Sequence, residues 1–163
     1  MKKFLIFFLL ISYNSFSQCD KEETINFDNG TYKGCLNDDK LMEGYGTYVF
    51  SSGQKYEGYW KDGEHHGEGT LYFPNGGKIW GTSEDGEFVK GNFYYESDGI
   101  ILKYEGGFKG NNSNYHGQGK LINRQEGYQN VTEGEFKNNE LYSGIQIEEY
   151  SDGRKNTIKF EKM

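Results

Sequence analysis

The segment KYEGYWKDGEHHGEGTLYFPNG, residues 55–76, contains the pattern that decides the fold. It reads aromatic-x-Gly-x-aromatic, then a short polar turn, then Gly-x-Gly with alternating apolar residues, and it ends on Asn-Gly. Because side chains two residues apart in a strand share a face, Tyr56, Gly58 and Trp60 lie together on one face. The pair at residues 75–76 tolerates the positive φ that tight hairpin turns need. The segment therefore predicts an antiparallel β-hairpin.

The same pattern recurs along the chain, and successive copies open 23 to 28 residues apart. The predicted repeats span residues 32–53, 56–76, 79–99, 104–127 and 132–153, and residues 154–163 form a half-repeat and edge strand. In the third copy, Ser83 stands at the second aromatic position and Phe93 at a glycine position, and the fourth copy carries an insertion. We expect a structural role for the motif positions Tyr32, Gly34, Gly44, Gly46, Tyr56, Gly58, Trp60, Gly63, Gly67, Gly69, Gly81, Tyr104, Gly106, Phe108, Gly117, Gly119, Gly134 and Phe136.

The composition agrees with a thin β-structure. The chain has 24 glycines in 163 residues and 17% aromatic residues, but only 34% hydrophobic residues, too few for a thick two-layer core. Aromatic rings that cover glycine hollows can build a thin core instead. We therefore predict an all-β fold: an elongated, single-layer antiparallel β-meander of about five hairpin repeats, with about ten strands over roughly 50 Å. Residues 18–31 form an N-terminal cap with an extra strand at residues 24–27.

The second copy resembles the MORN repeat, whose consensus is close to Tyr-x-Gly-x-Trp-x-x-Gly-x-x-His-Gly-x-Gly. The matching positions are Tyr56, Gly58, Trp60, Gly63, His66, Gly67 and Gly69. The resemblance extends over the other copies, from residue 32 to about residue 160. It implies an array of β-hairpins linked to protein association and, in some members, to contact with membrane lipids. Some members of the family carry a catalytic domain, for which this chain has no room.

The N-terminal residues have the three parts of a signal peptide. Lys2 and Lys3 precede the apolar stretch FLIFFLLI, which at eight residues is too short to span a bilayer. Small residues then lead to a predicted cleavage site between Ser17 and Gln18, which makes residues 1–17 the signal peptide. A buried N-terminal strand is the alternative. We expect an exported protein, located in the periplasm, on the outer surface or secreted. The composition and the signal sequence are reminiscent of bacteria of the Bacteroidetes group.

Two cysteines remain after this cleavage. An oxidising compartment favours a disulfide between Cys19 and Cys35. In a hairpin that turns at residues 28–30, however, Cys35 lies opposite about Glu23, so the chain before Glu23 has to curl back. Lipid anchoring at Cys19 is a second, weaker interpretation, because a bacterial lipobox wants a small residue where this chain has Gln18.

The charge excludes one class of partner. Removing residues 1–17 takes away two lysines and no acid, so the formal net charge goes from −7 to −9. An acidic surface repels phosphate backbones and anionic headgroups. We therefore expect no nucleic acid partner, and we expect anionic lipids to be disfavoured.

Histidines and glutamates follow the repeat phase. His66 and His116 each precede the first glycine of Gly-x-Gly, so we expect a structural role for them, although His65 and Glu64 stand beside His66. Zinc needs three or four converging ligands, so we predict no metal site. The acids Glu57, Glu105 and Glu133 likewise share one phase, which is typical of a solvated strand face. We predict no catalytic residues, no cofactor and no enzymatic activity.

The sequence favours a binding or scaffolding module for a protein partner. The alternative is carbohydrate or membrane-surface binding through an aromatic face of the sheet. For this alternative, Tyr45, Tyr59 and Tyr128 are the rings expected to lie off the core face.

Overall fold

The computed structural model describes residues 21–110 and 112–161. Within these residues the chain forms twelve β-strands and no helix. Each strand pairs antiparallel with its neighbours in sequence, which gives one open sheet in the order β1 to β12. The predicted meander of β-hairpins is confirmed. In chain order the strands are β1 (Glu23–Phe27), β2 (Gly30–Leu36), β3 (Met42–Phe50), β4 (Lys55–Lys61), β5 (Glu64–Tyr72), β6 (Lys78–Glu84), β7 (Glu87–Ser97), β8 (Ile100–Lys109), β9 (Asn114–Gln125), β10 (Tyr128–Lys137), β11 (Glu140–Tyr150) and β12 (Lys155–Phe160).

Two kinds of turn close the hairpins. Between β4 and β5 the turn has two residues, Asp62 and Gly63, with φ of 49° and 88°. Two positive φ values give the type I′ geometry, which matches the twist of the flanking strands. Between β5 and β6 the turn is longer, and Gly76 takes the positive φ of 85°. There the Phe73 amide donates to the Gly77 carbonyl at 2.8 Å.

A row of glycines crosses the sheet from β2 to β11. Each of these ten residues is the cross-strand partner of the next: Gly34, Gly46, Gly58, Gly69, Gly81, Gly91, Gly106, Gly119, Gly134 and Gly144. A slip of one residue would move each strand's side chains to the other face. This glycine row therefore fixes the register of consecutive hairpins.

Three tyrosines lie over the glycine row, on the face that we name the ring face. The Tyr56 ring covers Gly58 and Gly69, and a Cβ on Gly69 would overlap the Tyr56 hydroxyl and ring. Tyr32 and Tyr104 cover their own pairs of row glycines in the same way. Glycine is required at these positions because the rings occupy the space of a side chain.

Each of these tyrosines also satisfies a backbone carbonyl three residues further on. The Tyr32 hydroxyl donates to the Cys35 carbonyl at 2.9 Å, and the Tyr104 hydroxyl donates to the Gly107 carbonyl at 2.9 Å. At these positions the register shifts by two residues, so the regular ladder is interrupted. The ring thus fills the hollow and also replaces a hydrogen bond that the bulge removes.

The third and fifth repeats lack this arrangement. Ile79 and Thr132 stand at the tyrosine position, and Val89 and Tyr142 stand where the other repeats have the first glycine of Gly-x-Gly. In the complete repeats that glycine has a positive φ, which is 78° at Gly67. Without it, the register shifts by only one residue. The tyrosine and the bulge glycine therefore occur together.

The expectation that Phe93 replaces a glycine is wrong. Gly91 occupies the glycine row, and Phe93 pairs with Ile79 in the neighbouring row of apolar side chains. The glycine that is missing from this repeat is two positions earlier than Gly91, at Val89. In the sequence, Gly91 reads as the first glycine of Gly-x-Gly, which puts Phe93 at the second, whereas the strand pairing places Gly91 at the second position.

The core lies on the ring face. Its buried apolar residues are Tyr32, Tyr48, Tyr56, Trp60, Ile79, Phe88, Tyr104, Phe108 and Phe136. Ser83, at the second aromatic position of the third repeat, pairs across the hairpin with Phe88. Phe88 packs between Tyr56 and Phe108, at centroid distances of 6.3 and 6.5 Å. The opposite strand therefore supplies the ring that Ser83 lacks.

The opposite face, which we name the outer face, carries polar and charged residues and some rings. Tyr45 and Tyr59 are cross-strand partners on this face, with ring centroids 5.4 Å apart, as expected. The expectation for Tyr128 is wrong. It lies an even number of residues before Thr132 on a regular part of β10, so it belongs to the ring face, where it packs against Tyr150.

Candidate functional site: a ring-lined groove

A groove lies on the ring face, over strands β1 to β5. We name it the ring groove; it has a volume of about 380 Å³. It runs from the β1–β2 turn to the β4–β5 and β6–β7 turns, so it follows the length of the strands. Its apolar lining consists of Phe27, Met42, Tyr48, Phe50, Trp60 and the ring of His65. Most of this lining is apolar and only a few groups are polar, which is the usual character of a ligand site.

Trp60 is held in place at the centre of the ring groove. Its indole nitrogen donates to the Gly46 carbonyl at 3.3 Å. The Tyr32 and Tyr56 rings meet it edge-on, at centroid distances of 5.5 and 5.1 Å. Edge-to-face packing of this kind fixes the orientation of an aromatic side chain. The groove therefore has a preformed apolar floor.

His65 forms the wall beside Trp60. Its ring stacks on Tyr56 with centroids 3.7 Å apart and 11° between the planes. Burial disfavours the charged imidazolium and lowers the pKa of His65 from 6.5 to about 4. The His65 imidazole is therefore neutral at physiological pH, and it contributes an apolar surface to the ring groove.

Two turns form the end of the groove near His65, and each is tied to the preceding hairpin. The Gly63 amide donates to the Met42 carbonyl at 3.0 Å, and the Gly86 amide donates to the His65 carbonyl at 3.1 Å. Glu64 is the charged residue in the lining. At the opposite end, the Tyr48 hydroxyl donates to Asn29 Oδ1 at 2.5 Å. The groove thus combines a rigid apolar floor with an acidic side chain at one end.

The sequence-predicted motif residues belong to the frame of this groove and its continuation along the sheet. Gly34, Gly46, Gly58, Gly69, Gly81, Gly106, Gly119 and Gly134 lie in the glycine row, whereas Gly44, Gly67 and Gly117 have positive φ at the bulges and Gly63 lies in a turn. Tyr32, Tyr56, Tyr104, Trp60, Phe108 and Phe136 are buried on the ring face. Ser17, Gln18 and Cys19 lie outside the described residues. Cys35 is buried on β2, and its pairing with Cys19 stays a prediction.

Sequence reasoning did not find the role of His65. Tyr115 has the same role in the fourth repeat, where it stacks on Tyr104 with centroids 3.8 Å apart and 14° between the planes. Both residues stand directly before the histidine of a His-Gly pair, at His66 and His116. This shared position, with a planar side chain in each case, was the available signal.

The acids and histidines do not form a reactive cluster in the part of the chain that the structure describes. Glu57, Glu105 and Glu133 lie in one cross-strand row on the outer face, separated by other residues. No three side chains of His, Cys, Asp or Glu in residues 21–110 and 112–161 are close enough to hold a metal ion together. The same residues contain no helix that could cross a membrane.

Two consecutive segments, residues 38–55 and 56–78, match the family model described as MORN repeat. The matches support the MORN repeat family. The second MORN match begins at Tyr56 and covers the hairpin that supplies Trp60 and His65 to the ring groove. No curated protein matches the sequence of this chain. MORN repeats are commonly modules for interaction with proteins or membranes, and they are generally not catalytic.

Proposed function

We propose that this protein is a non-catalytic, protein-binding or scaffolding module, and that the ring groove holds an apolar side chain of its partner. The observation that supports this is the preformed floor of Trp60, fixed by two edge-on tyrosines and a backbone hydrogen bond. An anchor residue that enters a rigid apolar pocket is a common source of affinity in protein interfaces.

The charge of the groove indicates the chemistry around the anchor. Glu64 is the charged lining residue, and His65 is neutral because burial lowers its pKa to about 4. The chain without residues 1–17 carries a formal charge of −9. The partner segment should therefore present an apolar residue flanked by lysine or arginine, since opposite charges steer association. The same charge disfavours an anionic membrane surface, the alternative within this family.

Peptides with one tryptophan or leucine anchor, flanked either by lysines or by aspartates, test this proposal. The protein from residue 18 onward should bind the lysine-flanked set in preference. Glu64→Lys should reverse that preference, and Phe27→Ser should weaken binding of both sets, because Phe27 lines the groove and is 44% exposed. Val49→Ser is the matched control, since Val49 is 47% exposed but lies on the outer face. Equal binding by all four proteins would contradict the proposal.

A natural partner is sought with the same proteins as bait in envelope or culture-fluid extracts. A genuine partner is retained by the parent protein and by Val49→Ser, and it is lost with Phe27→Ser. Proteins that all baits capture equally do not use the ring groove.

Export belongs to the same proposal, with cleavage between Ser17 and Gln18. N-terminal sequencing of the protein recovered outside the cytoplasm should begin at Gln18. Its mass should show Cys19 and Cys35 joined, without an acyl chain. A mature N-terminus at Met1 would refute export by this signal. An acylated N-terminal cysteine would show that the protein is anchored to a membrane and not secreted.

A further inference from the structure

A second cavity lies on the outer face, at the middle of the sheet. Its volume is about 280 Å³, just below the usual range of about 300–1,000 Å³ for small-ligand sites. Trp80, Asn92, Glu105 and Lys120 are successive cross-strand partners on β6 to β9 and form one line of its lining. Side chains on one face of a sheet leave a cavity where a short side chain stands among long ones. We name this cavity the Trp80 cup.

Asn92 is the short side chain that creates the cup. Its cross-strand neighbours are Trp80 on one side and Glu105 on the other. The next outer-face pair along the same strands is Tyr94 and Lys103, which also line the cavity. The cup therefore has a polar floor at Asn92 and an aromatic wall at Trp80.

The polar groups of the cup are partly unused. In the described part of the chain, neither the Asn92 amide nor the Glu105 carboxylate makes a side-chain hydrogen bond or an ion pair. Lys103 lies over the Tyr94 ring, at 5.4 Å from its centroid, and makes no ion pair with a described residue. Trp80 is 37% exposed, so part of its ring is in contact with solvent, and the flexible Lys78 side chain places its ammonium over the ring at 4.9 Å from the centroid. An exposed ring beside unpaired donors and acceptors is suited to a ligand that has both an apolar face and hydroxyl groups.

We propose that the Trp80 cup binds a pyranose ring of a polysaccharide. The C–H face of the sugar stacks on the Trp80 indole, and the flexible Lys78 side chain moves aside where it covers the ring. Asn92 and Glu105 hydrogen-bond to its hydroxyl groups, as a site with unpaired polar groups requires. The Lys103 ammonium donates to a further hydroxyl group, or to the carboxylate of a uronic acid. This site goes beyond the proposed protein-binding function, because it lies on the opposite face from the ring groove and shares no residue with it.

The two tryptophans of the chain provide a direct test by nuclear magnetic resonance. Each gives one indole N–H signal, and Trp80→Phe identifies which signal belongs to Trp80. A glucose oligomer and a galacturonate oligomer are titrated separately into the protein. The Trp80 signal should shift saturably with at least one of them. The Trp60 signal should stay in place, because Trp60 is 3% exposed and lies on the ring face.

Variants of the polar groups complete the test. Asn92→Ala and Glu105→Gln should each weaken sugar binding by about fivefold to tenfold, the usual effect of losing one hydrogen bond to a ligand. Lys103→Gln should weaken galacturonate more than glucose. Lys61→Gln is the matched control, since Lys61 is exposed and lies outside the cup. The absence of a saturable shift with both oligomers would overturn the proposal. Binding that survives Trp80→Ala, measured by calorimetry, would overturn it too.

Discussion

The Tyr56 ring lies flat against the His65 imidazole, with centroids 3.7 Å apart and 11° between the planes. The fourth repeat has the same geometry between Tyr104 and Tyr115. In both repeats the first motif tyrosine is sandwiched between the glycine row and a second planar side chain. The buried tyrosine is therefore the element on which each complete repeat depends.

The stack on Tyr56 predicts an acid-dependent loss of stability. In the folded protein the pKa of His65 is about 4, whereas in the unfolded chain it is 6.5. Between about pH 4 and pH 6.5, His65 therefore binds a proton in the unfolded state but not in the folded state. As a result, the free energy of unfolding falls as pH drops from about 6.5 to 4, by up to about 3 kcal/mol.

Denaturant titrations of the parent protein and of His65→Tyr measure this effect. Tyrosine is the residue that the fourth repeat has at this position, so the variant keeps the stack and removes the titrating group. Acidic residues, such as Glu57 with its pKa lowered by the hydrogen bond from Lys55, contribute equally to both curves. Parallel curves for the two proteins would show that His65 does not carry the pH dependence.

A second prediction concerns alkaline pH. Burial raises the pKa of Tyr32, Tyr56, Tyr104 and Tyr115 from 10 to about 12. The contribution of these phenols to stability is fully present below pH 10 and is lost as pH rises towards 12. The ultraviolet absorbance of tyrosinate should therefore rise in two phases, with the later phase accompanied by unfolding. Tyr115→Phe should shrink the later phase, because burial raises the pKa of Tyr115 to about 12. A single phase for all tyrosines would contradict this prediction.

A third prediction separates crowding from backbone strain at two glycines. A Cβ on Gly69 would overlap the Tyr56 hydroxyl, whereas a Cβ on Gly117 would meet nothing within 4 Å but would sit at a φ of 71°. Gly69→Ala should therefore cost about 3 kcal/mol of unfolding free energy. Gly117→Ala should cost only about 1–2 kcal/mol, the strain of a left-handed alanine. Denaturant titration gives both values, and equal losses would mean that the ring does not occupy the space over Gly69.

The fourth prediction tests the hydrogen bond across the bulge. Tyr104→Phe removes the hydroxyl that donates to the Gly107 carbonyl and leaves that carbonyl unpaired. The expected loss is about 1–2 kcal/mol of unfolding free energy. Tyr94→Phe is the control, because the Tyr94 hydroxyl bonds to Glu96 on the outer face, and it should change stability by less than about 0.5 kcal/mol. A neutral Tyr104→Phe would show that the bulge carbonyl needs no side-chain partner.

Much of the fold follows from period and turn chemistry alone. The alternation of Tyr56, Gly58 and Trp60 predicted one face of a strand, and the sheet places all three on the ring face. The same rule placed Tyr45 and Tyr59 on the outer face. Local patterns were sufficient here because register repeats from hairpin to hairpin.

Reasoning from the repeat period failed in two situations. In one, a bulge changes the number of residues between motif positions. In the other, a side chain on the neighbouring strand fills the space of a missing ring. Phe93 falls on a glycine position only if Gly91 is the first glycine of Gly-x-Gly, and the pairing that shows Gly91 to be the second is not visible in the sequence. The ring of Phe88 fills the space that Ser83 leaves, and such compensation depends on cross-strand pairing. The two cavities could not be predicted from the sequence either, because each is lined by side chains from several hairpins.

The glycine row has a consequence for how such a chain changes length. It passes every boundary between repeats at the same register, even where Ile79 or Thr132 has replaced the tyrosine. A two-stranded unit inserted or deleted at any boundary would meet the same backbone edge as the unit beside it. The glycine row thus fixes the spacing of the hairpins but not their number. Duplication of a repeat would lengthen the sheet, and the side chains of each face would stay in line.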